Sequence, residues 1–276
     1  MDRKDYLRIT ALGFSTAVLP KLSLASSHSH GNGMQNFRLG VASYSLRKFS
    51  TEQALDMTLR CGVNRITFKN MHLPIESDAK TIIETVELCK QKGMELYGCG
   101  VVTMKTKEDV EQVFHYAKTA GMEIIIGVPY PDVLPFVEQK VKEFNIKLAI
   151  HNHGPGDDLY PSVESAYLKI RHMDQRMGLC VDIGHTKRLN QDPAMNIQDY
   201  FDRIFDIHIK DVTSASEEGD TCIIGRGVIN FPTLLKSLKK LRYQGTLALE
   251  YEADEDDPLP GMMESLGYVK GILATI

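Results

Sequence analysis

The sequence predicts a single-domain (β/α)8 barrel, an α/β fold, over residues 37–276, and three observations carry that expectation. Past residue 37, short β-branched or apolar runs alternate with longer stretches of helical period, strand then helix, eight times in about 240 residues. No Gly-x-Gly-x-x-Gly follows the first strand-like run, which removes the main support for the rival, a doubly wound dinucleotide-binding sheet. Four late strand-like runs place polar residues on one face near their C-terminal ends, the end at which barrels build their sites.

Taken in order, Leu39 to Tyr44 is the first strand and Thr51 to Cys61 its helix, closed by Gly62. Val63 to Phe68 precedes a helix from Asp78 to Lys92, closed by Gly93, and Glu95 to Val102 precedes Lys107 to Ala120, closed by Gly121. Glu123 to Val128, Ile146 to His151, Gly178 to Ile183 and Ile204 to Lys210 are the next four strands. Pro232 to Leu241 is a helix with Gly245 as its stop, Thr246 to Tyr251 the last strand, and Met262 to Leu273 the last helix. Glycine just past a helical run is a C-cap signal because it accepts left-handed backbone.

Side chains alternate along a strand, so each late run can be sorted by face. In the fifth, Ala149, His151 and His153 oppose Leu148 and Ile150; in the sixth, Cys180 and Asp182 oppose Leu179, Val181 and Ile183. The seventh sets Asp206, His208 and Lys210 against Phe205, Ile207 and Ile209; the eighth sets Thr246, Ala248 and Glu250 against Leu247, Leu249 and Tyr251. In a barrel, His151, Asp182, His208 and Glu250 converge. Two imidazoles and two carboxylates suit one divalent ion of Mn, Co, Zn or Fe better than calcium or magnesium, which favour all-oxygen shells. His185, three residues after Asp182, can reach the same pocket.

Four strings carry a resemblance: Val-Asp-Ile-Gly-His ending at His185, Ile-His-Ile-Lys-Asp ending at Asp211, Gly-Arg-Gly-Val-Ile-Asn-Phe-Pro ending at Pro232, and Leu-Ala-Leu-Glu-Tyr ending at Tyr251. They resemble the xylose-isomerase-like superfamily of sugar isomerases and epimerases, which also includes endonuclease IV. The resemblance implies a metal held by Glu, Asp, His and Glu at the ends of strands five to eight, with two glutamates flanking the substrate as acid and base. Asp182, His208 and Glu250 match that pattern. At strand five the string Ile150, His151, Asn152, His153 replaces the usual glutamate, and a neutral metal-binding imidazole cannot act as the second carboxylate base.

What remains is metal-assisted proton abstraction beside a carbonyl, through an enediolate. Glu250 is the candidate ligand and base, and Lys210 or His185 the candidate proton donor or oxyanion partner. A surface salt bridge is the alternative for Lys210. Lys69, His72, His153 and Arg226 are candidate substrate contacts; surface or loop roles compete for Lys69, His72 and Arg226. Of the acidic run Glu250, Glu252, Asp254, Glu255, Asp256 and Asp257, only Glu250 is assigned to the site.

Residues 1–25 combine a basic start (Arg3, Lys4, Arg8), an apolar run from Ile9 to Leu19 and small residues before Ser26, the build of an export signal similar to a twin-arginine signal. That run is short for a bilayer span, so no stable membrane anchor is expected. Residues 26–36, rich in Ser, His, Gly and Asn and containing His28 and His30, read as a flexible linker. The expected location is exported, in the periplasm. Five scattered cysteines without a Cys-x-x-Cys pair imply neither a disulfide framework nor a zinc knuckle.

The net charge is -4, from 32 basic and 36 acidic residues. Loss of residues 1–25 removes four basic and two acidic residues and leaves -6, so nucleic acid is not an expected partner. An endonuclease needs more histidines for further metals, and only His72 and His115 stand in the early part of the barrel. Sugar phosphates are intracellular and no Gly-rich phosphate cradle is present, so the expected partner is an unphosphorylated sugar or glycoside. The expected reaction is isomerisation or epimerisation, with β-elimination from a 3-keto-glycoside as the alternative sharing the same first step. A sugar-binding barrel without catalysis is the remaining class.

Overall fold

Eight parallel strands close into one barrel in the structure, a computed structural model that describes residues 37–276. The expected export segment, 1–25, and linker, 26–36, with His28 and His30, lie outside the described residues. In chain order the elements are β1 (Arg38–Ala42), α1 (Thr51–Arg60), β2 (Arg65–Phe68), α2 (Ala79–Gln91), β3 (Glu95–Met104), α3 (Lys107–Ala120), β4 (Ile124–Pro129), α4 (Leu134–Phe144) and β5 (Lys147–His151). There follow α5 (Val163–Ile170), β6 (Met177–Asp182), α6 (Ile183–Arg188), α7 (Pro193–Asp199), β7 (Ile204–Ile209), β8 (Asp211–Val212), β9 (Thr221–Cys222), α8 (Phe231–Leu241), β10 (Thr246–Leu249) and α9 (Leu259–Leu273). Strands β1 to β7 follow one another round the barrel, and β10 closes it between β7 and β1; β8 and β9 form a small antiparallel hairpin of their own.

Local chemistry explains where the early helices begin. Ser50 accepts the Gln53 N–H and the Gln53 side chain returns a bond to the Ser50 N–H, a reciprocal cap repeated by Thr106 and Asp109 ahead of α3. Asp78 caps α2 by accepting the Thr81 N–H. Gly121 ends α3 in the left-handed conformation, as expected. Gly245 departs from expectation: α8 stops at Arg242, which itself takes a φ of 57°. Close approach is what requires the glycine, because a Cβ there would lie 2.2 Å from the Tyr243 hydroxyl and 2.4 Å from the Phe205 carbonyl.

The two faces of the late strands divide as their alternation predicts except at Phe205, expected outward with Ile207 and Ile209, which a register shift against β6 leaves packed on the cluster inside the barrel. Leu148, Ile150, Leu179, Val181, Ile207, Ile209, Leu247 and Leu249 are buried in the large apolar layer between strands and helices. Each such side chain contributes about 1.5–3 kcal/mol of burial. Inside the barrel a separate small cluster of Tyr97, Ile124, Ile126, Ala149 and Cys180 forms the floor. The next inward positions toward the C-terminal mouth rest on that floor and are polar. Among the described residues no helix is long and apolar enough to cross a membrane.

Candidate active site at the C-terminal mouth

His151 is the last residue of β5, Asp182 the last of β6, His208 the penultimate of β7, and Glu250 directly follows β10. Strand pairing sets Asp182 opposite His208 and Cys180 opposite His151. Ligand atoms of His151, Asp182, His208 and Glu250 all lie within 4.8 Å of one another, and all four residues are buried. His151 Nε2 is 3.4 Å from Asp182 Oδ2 and 3.8 Å from Glu250 Oε2, and His208 Nδ1 is 3.2 Å from Glu250 Oε2. Asp182 is also the N-cap of α6: its Oδ1 accepts the His185 N–H at 2.8 Å, which leaves Oδ2 aimed at the cluster. Asn152 holds it from behind, accepting the Asp182 N–H at 2.9 Å and donating to the Asp182 carbonyl at 3.3 Å.

Burial holds the His151 imidazole neutral, its pKa pushed down to about 3. Burial also works against the charged form of His208, but the Glu250 carboxylate beside it prevails and raises its pKa. Burial opposes ionisation of Glu250 and Asp182 too; Lys210 and His208 overcome it for Glu250, and His185 and Lys210 for Asp182, so both stay well below the usual carboxylate range. His151 Nδ1 and His208 Nε2 are buried without a hydrogen-bond partner, and the other nitrogen of each ring faces a carboxylate oxygen. Buried polar atoms are rarely left so, and four converging donors with an orphaned nitrogen on each imidazole fit a divalent cation. His151, Cys180 and His208 also converge. That set offers one donor fewer and no oxygen ligand, so the set with Asp182 and Glu250 is the fuller shell.

The structure brings Lys210, His185 and His153 to this cluster. Lys210 is 2% exposed and so is not a surface salt bridge; its Nζ lies 2.8 Å from Glu250 Oε2 and 3.0 Å from Asp182 Oδ2 and also donates to Glu252. His185 Nε2 is 3.9 Å from Asp182 Oδ2, and the His153 ring centroid is 4.6 Å from that of His151. Lys69 donates to the Val101 carbonyl at 3.1 Å and lies 5.2 Å from the Tyr44 ring; burial lowers its pKa, with Glu250 and Glu252 acting against that.

Two expected substrate contacts are placed elsewhere. His72 is 3% exposed, its Nδ1 bonded to Ser43 Oγ and its Nε2 to the Leu46 carbonyl, so both nitrogens are committed inside the fold. Arg226 makes a two-pronged, solvent-exposed pair with Glu264 of α9 at 2.6 and 2.8 Å. Its loop is organised instead by buried Asp211, whose carboxylate accepts the N–H groups of Val212, Gly225, Gly227 and Ile229. Glu252, assigned by sequence to a solvated loop, joins the site through Lys210, and Glu255 and Asp256 pair with Arg47 and Lys48. Glu252 stands two residues after Glu250, so the alternation through Thr246, Ala248 and Glu250, carried one step past the strand, is the signal that points to it.

Fold and site together define the class: the chain belongs to the xylose isomerase-like TIM barrel family, whose pattern matches residues 52–272. The rhizopine catabolism protein MocC of Rhizobium meliloti is 27% identical over 154 residues, 50% of this chain and 47% of that protein, so the chain spans about half the length of this curated relative. An uncharacterised protein from Parabacteroides distasonis superposes with a TM-score of 0.68 at 23% identity, over 85% of this chain and 98% of that one. The 3-keto-D-glucoside 4-epimerase of E. coli superposes with a TM-score of 0.71 at 14% identity, over 86% of this chain and all (100%) of that one. At these identities the solved structures establish a shared fold.

Proposed function

We propose that this protein is a divalent-metal-dependent enzyme of the sugar isomerase and epimerase type, acting on an unphosphorylated keto sugar by removing the proton next to its carbonyl. The observation that carries this reading is the convergence of His151, Asp182, His208 and Glu250 at the C-terminal mouth, with a buried lysine in contact with both carboxylates. A divalent ion of the Mn, Co, Zn or Fe kind held by these four residues would supply a Lewis acid that withdraws charge from the carbonyl and stabilises the enediolate. Glu250, held ionised, is the group able to accept the proton. The Lys210 ammonium or the His185 ring returns a proton or bonds the developing oxyanion. His153 and Lys69 line the approach and offer hydrogen bonds to hydroxyl groups.

Elimination of the aglycone from a 3-keto-glycoside is the second reading, and His151 favours it. A neutral imidazole where the family places a second carboxylate weakens two-sided proton exchange and leaves one-sided removal of the proton intact. We read residues 1–25 as an export segment and the substrate as one met outside the cytoplasm. Metal analysis of the purified protein, coupled to deuterium exchange from solvent into a panel of ketoses and 3-keto-glucosides, tests the proposal. Metal-dependent exchange is the expected result; metal bound with no exchange in any panel member would sink it.

A further inference from the structure

We infer that Lys210 is a built-in competitor for the divalent ion and that Glu252 is the acceptor that takes its ammonium when the ion binds. The inference rests on the metal reading above and concerns how this chain admits a cation. Lys210 Nζ contacts Asp182 Oδ2 at 3.0 Å and Glu250 Oε2 at 2.8 Å. Those two oxygens are the ones that face the imidazoles, at 3.4 Å from His151 Nε2 and 3.2 Å from His208 Nδ1. Asp182 has no spare oxygen to offer, because Oδ1 is engaged by the His185 N–H. A cation that takes Asp182 through Oδ2 and Glu250 through Oε2, the oxygens that face the imidazoles, draws on the same oxygens as the ammonium, and like charges at that range repel.

Glu252 gives the ammonium a place to go. It already accepts from Lys210, and its side chain is 29% exposed against 0% for Asp182 and 6% for Glu250, so it stands on the outer side of the cluster. Movement is confined to the lysine side chain: β7 fixes the backbone before it, and the four N–H groups gathered by Asp211 fix the backbone after it. The stem crosses Gly184, where a Cβ would come within 2.4 Å of Lys210 Cγ. Charge also balances: Asp182, Glu250 and Glu252 carry three negative charges, matched by one ammonium and one divalent ion.

The test is chelator-competition titration of the full chain with Mn2+ and with Co2+, for the wild type, E252Q, K210M and the double variant. K210M should bind about tenfold more tightly and E252Q about tenfold more weakly, while in the K210M background E252Q should change affinity by less than about threefold. An E252Q effect of equal size in both backgrounds would mean that Glu252 acts through its charge alone and would overturn the inference, as would a K210M affinity that is unchanged or weaker. Recovery of folded K210M only with the ion present also supports it; failure to fold with or without the ion makes Lys210 structural and overturns it. No ion bound by the wild type or any variant defeats the metal reading itself, a result distinct from equal affinities across the set.

Discussion

Strand β7 carries two ionisable side chains toward the barrel axis, Asp206 and His208, and the two ends of the barrel handle them in opposite ways. At the C-terminal mouth, His208 sits among partners of both signs, so charge is kept and balanced. At the N-terminal mouth, Asp206 is 1% exposed, borders a cavity of about 350 Å³ with Tyr97, Tyr243 and Thr246, and burial pushes its pKa up to about 6. One end stabilises buried charge by pairing, the other by favouring the neutral form. The comparison separates a site from a floor by physics rather than by position in the fold.

Removing a partner at the paired end should have the largest effect. Glu250→Gln is expected to lower deuterium exchange into substrate roughly a thousandfold and to weaken metal binding, since one change removes a ligand and the candidate base. Full activity in that variant would take Glu250 out of the mechanism.

Next in size is Asp206→Asn at the other end. The folded carboxyl holds its proton up to about pH 6, whereas the unfolded chain releases it near pH 4, so the wild type loses stability as pH rises through 6. The amide should therefore stabilise the protein by about 3 kcal/mol at pH 8, and the gain should vanish at and below pH 4. Melting curves at the two pH values check this; an offset of equal size at both would erase the contrast between the ends.

Asn152→Ala acts at the paired end on a smaller scale. It removes the brace behind Asp182 and touches none of the cluster's ligand atoms, so metal affinity should fall about tenfold by calorimetry. Smallest of all is Arg226→Ala, which breaks an exposed pair and should move stability by less than about 0.5 kcal/mol in urea unfolding.

Much of this was legible in the sequence, for reasons that particular residues make plain. The eightfold succession of strand and helix marks the barrel, and because a period of two is forced on a strand, the alternation through Ile150, His151, Val181, Asp182, Ile207 and His208 marks the converging face. Elements without such signals escaped. Helix α4 starts at Leu134 behind Val133, which gives no side-chain cap, α5 has 8 residues, and the strands β8 and β9 have 2 each. His72 and Arg226 stand beside functional segments in sequence, yet their partners Ser43, Leu46 and Glu264 come from distant segments, and only the fold brings those together. Glu252 is the converse case, drawn into the site by a lysine 42 residues away.

The dual duty of Asp182 has one more consequence. With one oxygen tied to the helix N-terminus, only Oδ2 of Asp182 is left facing the cluster, and the next longer acid would carry its headgroup past that amide. Asp182→Glu would thus lose the α6 cap and displace the oxygen that faces His151 in one change, so at this position a single methylene acts on the start of a helix and on the mouth together.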